Sequence, residues 1–283
     1  MQSWEKPPTL EQFVEGYYRE LSPYVDDLFD DEDVFGSDLY SLVGRMNWRE
    51  YRKGVLTLDP ELEEKRLLHH VKQVEDLFNF NLEGEAILFA SLHCMDGYAR
   101  FDRGTHRVFL GVDESHAKDH YLDILQTHEL THVARESRRS VWEGFGLNPE
   151  MTHDEFTENQ PVIEHLMGEG FSCYVSELLV PCEEPWHYAY QSKESLARVY
   201  KNAKRVDQAI HQEILLAGNG DYGRLYNPRL YGPGMPPYTQ YVWGWQWTKK
   251  LTQDLAGGNP RLLVERSSKE FIEHALSFRL ADL

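Results

Sequence analysis

Apolar residues recur at helical spacing through most of the chain. Between residues 10 and 28 they fall at Leu10, Phe13, Val14, Tyr17, Leu21, Val25 and Leu28, which share one face of a helix. Pro60 has no N–H to lose in a first turn, so it opens a second helix. Its buried stripe is expected at Leu62, Leu67, Leu68, Val71, Val74, Leu77 and Phe78. The period then shortens. Ala86-Ile87-Leu88-Phe89-Ala90 and Arg107-Val108-Phe109-Leu110-Gly111-Val112 are short runs rich in strand formers, and Asp96-Gly97 and Arg103-Gly104 between them are turn signals. A small antiparallel sheet is expected there. Beyond Val112 the helical period returns, over 117–138, 160–180, 191–217, 238–256 and 260–277. A few strands followed by a run of helices predicts an α+β fold that is mostly helical.

Composition narrows the picture. The chain has 283 residues, enough for one continuous domain, or for an N-terminal helical region over 1–80 and a larger unit over 81–283. Lys and Arg number 29 against 47 Asp and Glu, a net charge of −18. Such a surface repels phosphate backbones and anionic lipid headgroups, so neither nucleic acid nor membrane is an expected partner; cationic peptides would be drawn to it at long range. Six of the eight residues from Asp26 to Asp33 are acidic, without the spacing or glycine turn of a calcium loop, and read as a solvated bend between helices. Three cysteines, Cys94, Cys173 and Cys182, cannot all pair within one chain, so no disulfide framework is expected. The N-terminus has no basic start and no apolar stretch of a signal peptide. The longest charge-free window, Leu230 to Thr248, is broken by Pro233, Pro236 and Pro237. A soluble, cytoplasmic protein is expected.

Chemistry enters with Thr127-His128-Glu129-Leu130-Thr131-His132, a His-Glu-x-x-His sequence. Residues four apart on a helix lie one above the other, so the imidazoles of His128 and His132 can converge on one cation. Glu129 projects beside that face, where its carboxylate can act on a water rather than bind the ion. Zinc suits imidazole and carboxylate donors. Tyr121, Leu122, Ile124, Leu125, Leu130 and Val133 supply apolar positions around the motif, so its helix should be mostly buried.

Downstream, Gly168-Glu169-Gly170-Phe171-Ser172-Cys173-Tyr174 opens an apolar helical run. This stretch resembles the Glu-Gly-Phe-(small)-x-Tyr segment of the gluzincin metallopeptidases, notably the glycyl-aminopeptidase-like and leukotriene-hydrolase-like branches. The chain also looks like a bacterial family of predicted zinc-dependent proteases. The resemblance rests on the 86–112 hairpin, His128-Glu129-Leu130-x-His132-x-x-Arg135, the Glu-Gly helix and a Tyr-rich helix near 238–247; it covers about half the chain and does not extend to residues 1–80. It implies a zincin-like catalytic domain over 81–283 whose small antiparallel sheet flanks the active-site helix. It further implies a zinc-dependent peptidase acting on a peptide or protein, with His128, His132 and Glu169 holding Zn2+ and Glu129 as general base. The distance from His132 to Glu169 is longer than in the best-known gluzincins, which leaves Glu164, His165 and His153 as competing third ligands. Glycines flanking Glu169 would let backbone pass close to the metal. The other large class of His-Glu-x-x-His enzymes continues with Gly and His where this chain has Arg135 and Arg138, and does not fit.

Hydrolysis through a tetrahedral oxyanion also needs a hydrogen-bond donor. Tyr241, three residues before Gly244 in a helix begun by Pro236-Pro237, is the candidate, with Tyr238 and Tyr231 as alternates. The strand at Arg107–Val112 is the expected edge for a peptide lying antiparallel, flanked by the turn at Asp96-Gly97-Tyr98-Ala99. His116 and His120 read as surface residues, Cys173 as a small buried hydrophobe, and Trp243, Trp245 and Trp247 as core or cleft wall. Arg135 is open between pairing with a carboxylate at the site and serving as a helix-end cation.

Overall fold

The computed structural model describes residues 59–283 except 92–95, 114–118, 183 and 217–221, together with isolated positions before residue 59. The acidic run 26–33, Cys94, His116 and, apart from Gln12 and Gly16, the helix expected over 10–28 lie outside the described residues. The fold is α+β, mostly helical with a small three-stranded mixed sheet. No helix among the described residues is long and apolar enough to cross a membrane.

Helix α1 (Pro60–Phe78) starts where Asp59 accepts hydrogen bonds from the N–H groups of Glu61 and Leu62 and stops at Asn79, which takes a left-handed conformation. Its buried face is Leu67, His70, Val74 and Phe78. Leu62 and Leu68 are 52% and 59% exposed, because each lies about 100° or more around the helix from that seam. Three strands follow: β1 (Glu85–Phe89), β2 (Gly97–Asp102) and β3 (Thr105–Gly111). Arg103 and Gly104, both at positive φ, make the tight hairpin between β2 and β3. The sheet departs from the expectation. Its order is β1-β3-β2, with β1 parallel to β3 and β2 antiparallel to it. β2 runs opposite to β1, the chain reverses again at Arg103-Gly104, and β3 is thereby parallel to β1. The segment 97–102 between the turns is itself a strand. Consequently β3 is the central strand, and β2, not 107–112, is the edge near the helices.

Helix α2 (Asp119–Glu136) lies against β2, β3 and α1. The side chains of Arg66 and His70 on α1 both reach Asp123 on α2, at 3.1 and 2.9 Å. Short helices α3 (Arg139–Glu143) and α4 (His153–Asn159) lead into α5 (Val162–Leu179). Every residue from Val162 to Ser176 is buried, so α5 is the central element of the molecule. The region expected as one helix over 191–217 is two, α6 (Lys193–Lys201) and α7 (Ala203–Leu216), interrupted at Asn202, whose side chain bonds back to Arg198 O. Helix α8 (Thr239–Ala256) packs along α5. The 260–277 segment is not one helix but tight turns followed by α9 (Ile272–Ser277).

The approach of α8 to α5 depends on two glycines. A Cβ added at Gly170 would collide with the Gly244 carbonyl, and one at Gly244 would sit 2.8 Å from Leu166 O. Trp243 and Trp247, both fully buried, pack on each other at 5.5 Å in the core, and Trp245 is buried too. Gly170→Ala should therefore cost at least about 1–3 kcal/mol of folding stability by overpacking. The same change at Gly168 meets only an ordinary contact 3.5 Å away and should be close to neutral. Urea unfolding midpoints of the two variants check the contrast.

Candidate metal centre

Helix α2 becomes buried on all sides from Ile124 onward, which brings its polar residues inside the protein. The Thr127 hydroxyl donates to Ser176 of α5, 3.0 Å away, and Ser176 in turn donates to Ile124 O. These contacts hold α2 and α5 side by side. One turn further along, three donor atoms meet: Nε2 of His128 and Oε2 of Glu169 are 3.2 Å apart, Nε2 of His132 and the same oxygen 3.4 Å, and the two Nε2 atoms 3.3 Å. Ligand atoms on one face of a tetrahedron with ~2.0–2.1 Å bonds stand ~3.3–3.4 Å apart. The triangle has that size, and its donor set of two imidazoles and a carboxylate fits a transition-metal ion such as zinc.

The competing third donors are directed elsewhere. Glu164 forms a two-pronged ion pair with Arg135, at 2.6 and 2.7 Å. The His165 ring stacks on Tyr222 with centroids 4.3 Å apart, and His153 bonds to the Tyr98 hydroxyl and to Phe101 O. Both imidazoles still line the cavity beside the triangle. Arg135, 1% exposed, neither meets the ligand carboxylate nor caps the helix for solvent; besides Glu164 it donates to Leu263 O and Val264 O. The glycines around Glu169 also divide their work. Gly168 faces the His132 ring and Gly170 faces α8, so the closest backbone approach at this point is between helices and not toward the donor triangle.

Behind the triangle, His132 Nδ1 is 3.0 Å from Glu136 Oε1, and His128 Nδ1 is 3.9 Å from the thiol of Cys173. Such outer contacts fix the ring orientation of a ligating histidine. Cys173 is thus buried, as expected, and also sits behind a donor. Burial penalises the charged form throughout the cluster. It lowers His128; at His132 the carboxylates of Glu169 and Glu136 outweigh it and hold the imidazolium form well above the usual range. Burial would also raise Glu169, yet the two imidazoles keep its carboxyl well below the ordinary carboxylate range. Glu129, without a partner imidazole in direct contact, is pushed up by burial to about 8, against the lowering influence of His132 and of a hydrogen bond from Ala99 N–H.

A cavity of about 160 Å³ opens on this cluster, with room for several waters. Its walls include His128, Glu129, His132 and Glu169 on one side and Gly97, Tyr98 and Ala99 of β2 on another. Gly97 is needed there: a Cβ would stand 2.8 Å from Leu125 and 2.9 Å from the Glu129 side chain. Tyr241 lines the cavity, its ring parallel to His128 at 6.1 Å and its hydroxyl 3.3 Å from that of Tyr226. Of the alternates, Tyr238 is exposed, and Tyr231 is buried with its hydroxyl donating to Leu225 O. The three tryptophans are core, and none is among the cavity-lining residues. Tyr226 and Tyr222 line the cavity without having been singled out in the sequence; their segment, 222–226, carries no periodicity that would mark it.

Comparison of the chain with protein-family models, with curated proteins and with solved structures finds no match.

The Arg135–Glu164 pair ties α2 to α5 one turn from the donor triangle. Arg135→Met would leave a carboxylate buried without its partner and should cost about 3–5 kcal/mol. Combining it with Glu164→Leu should recover much of that loss. Chemical denaturation of both variants measures the difference.

Proposed function

We propose that the chain is a zinc-dependent metallopeptidase with a zincin-like fold, of the gluzincin kind, hydrolysing peptide bonds in peptides or proteins in the cytoplasm. One observation carries the reading: three donor atoms 3.2 to 3.4 Å apart share a cavity with the Glu129 carboxyl and an edge strand. His128, His132 and Glu169 are the residues that would hold the ion. When bound, zinc supplies an electrophile for the scissile carbonyl and lowers the pKa of a water toward ~7.

The chain's own residues account for the rest. Glu129 takes the proton of the attacking water and later hands it to the leaving amine, as general base and then general acid. The Ala99 N–H holds its carboxylate against β2, so the base is placed beside the strand along which a substrate backbone would run. This makes β2 the substrate edge in place of the 107–112 strand. Tyr241 donates its hydroxyl to the developing oxyanion, with Tyr226 orienting that hydroxyl from behind. Burial pushes both phenols well above their ordinary range, which keeps them protonated as donors. A group of three protein donors with Glu129 beside it supports an open site over a closed structural one, which takes four protein ligands.

Purified protein should hold one zinc in this triangle, lost in His128→Ala. Glu129→Gln should keep that zinc while cleavage of a peptide library falls by about 10²–10⁴-fold. Tyr241→Phe should lower kcat and leave KM nearly unchanged. Metal analysis and steady-state kinetics read these out, and unaltered cleavage by Glu129→Gln would remove the mechanism.

A further inference from the structure

A second group of metal-ligating side chains stands at the other end of α2. His120, in its first turn, faces His187 in the tight turn Pro185–Ala189 that follows α5. Nε2 of His120 and Nδ1 of His187 are 2.9 Å apart, and the rings stack at 5.1 Å and 29°. The thiol of Cys182 completes a group whose donor atoms all lie within 4.8 Å of one another. The Glu184 carboxylate is 3.9 Å from the one nitrogen and 3.8 Å from the other. His120 is therefore not a plain surface residue.

We propose that His120, Cys182 and His187 form a second metal site, distinct from the donor triangle, that binds a zinc ion. The Cys182 thiol donates to Glu184 O at 3.4 Å, and a hydrogen bond between two imidazoles gives no reason for the Glu184 carboxylate to turn toward the same point. One thiolate and two imidazoles are a zinc donor set, and the thiolate selects against magnesium and calcium. Glu184 adds a negative charge that offsets the ion's. Cys182 is anchored beside this turn: the Tyr188 hydroxyl accepts from Cys182 N–H at 2.7 Å and donates to Val180 O at 2.8 Å. All three ligands are half-buried, so an ion can reach them from solvent.

The site would clamp the 180–190 loop to the start of α2. Tyr190, three residues beyond His187, packs edge-on against His128 at 5.2 Å, and Tyr121, next to His120, packs on Tyr190 at 6.1 Å. An ion there would brace the wall behind a donor of the first cluster. The proposal stands whether or not the chain is a peptidase.

Cobalt(II) separates the two sites, because only a thiolate-bound cobalt gives an intense near-ultraviolet charge-transfer band. Metal-free, tag-free full-length protein should develop that band and saturate it at one equivalent of thiolate-bound cobalt, and zinc should abolish it. A His128→Ala/His132→Ala variant should keep the band, as should Cys94→Ser and Cys173→Ser. Cys182→Ser should lose it, and His120→Gln should bind cobalt at this site at least about tenfold more weakly. His120→Gln retains all three thiols and serves if Cys182→Ser does not fold. A titration without the band, a band surviving in Cys182→Ser, or one lost in Cys94→Ser or Cys173→Ser would overturn the assignment.

Discussion

The molecule is organised around a cluster of carboxyl groups buried in its core. Glu129, Glu136 and Glu169 are all buried on α2 and α5, and the guanidinium closest to them in sequence, Arg135, is taken by Glu164. Two imidazoles are what the three carboxylates face. Buried charge is tolerated when it is paired or coordinated: His132 pairs with Glu136 and Glu169, burial pushes Glu129 up to about 8, and a divalent cation would complement these carboxyl groups. Two helices must then be held at one spacing. Thr127 and Ser176 do this through hydroxyl contacts, Arg135 and Glu164 through an ion pair, and Gly170 by letting α8 press α5 from behind.

That arrangement also decides where a substrate could lie. Because β3 is enclosed between β1 and β2, its backbone groups are used on both sides. The strand next to the cavity is β2, and it comes so near to α2 that position 97 cannot carry a side chain without displacing Glu129. The same closeness lets Ala99 N–H reach the Glu129 carboxylate. Glu129, the donor triangle and the strand edge are thus set by one packing contact, between β2 and the face of α2 that bears Leu125 and Glu129.

Much of this was legible because it is local. The i, i+4 spacing of His128 and His132 places both rings on one face whatever surrounds the helix, and the stretch around Glu169 announces a buried helix by its composition. The α+β class follows from a change of period along the chain. What could not be read are pairings between distant segments. Periodicity found β1 and β3 but neither β2 nor the parallel pairing of β1 with β3, and so it placed the edge on the wrong strand. Arg135 finds its partner 29 residues away, across a helix crossing that no local pattern encodes. The apolar stripe of α1 took in Leu62 and Leu68 because sequence counts apolar residues without knowing which side the core occupies. His120 and His187 are 67 residues apart, and each alone has the composition of an ordinary surface position.

Tyr190 shows how the two clusters are joined. It adopts a left-handed backbone, φ 52°, that a bulky side chain takes only when its surroundings dictate it, and its hydroxyl is buried without a hydrogen-bond partner among the described residues. Neither feature favours folding locally. Both are offset by the ring's position, wedged against His128, Tyr241 and Tyr121 at once. The left-handed turn at Tyr190 follows His187 by three residues, and the conformation that strains Tyr190 is the one in which its ring lies against His128. A metal clamp at His120, Cys182 and His187 would hold the start of that turn in place, and the orientation of His128 would then depend on contacts made two turns away along its own helix.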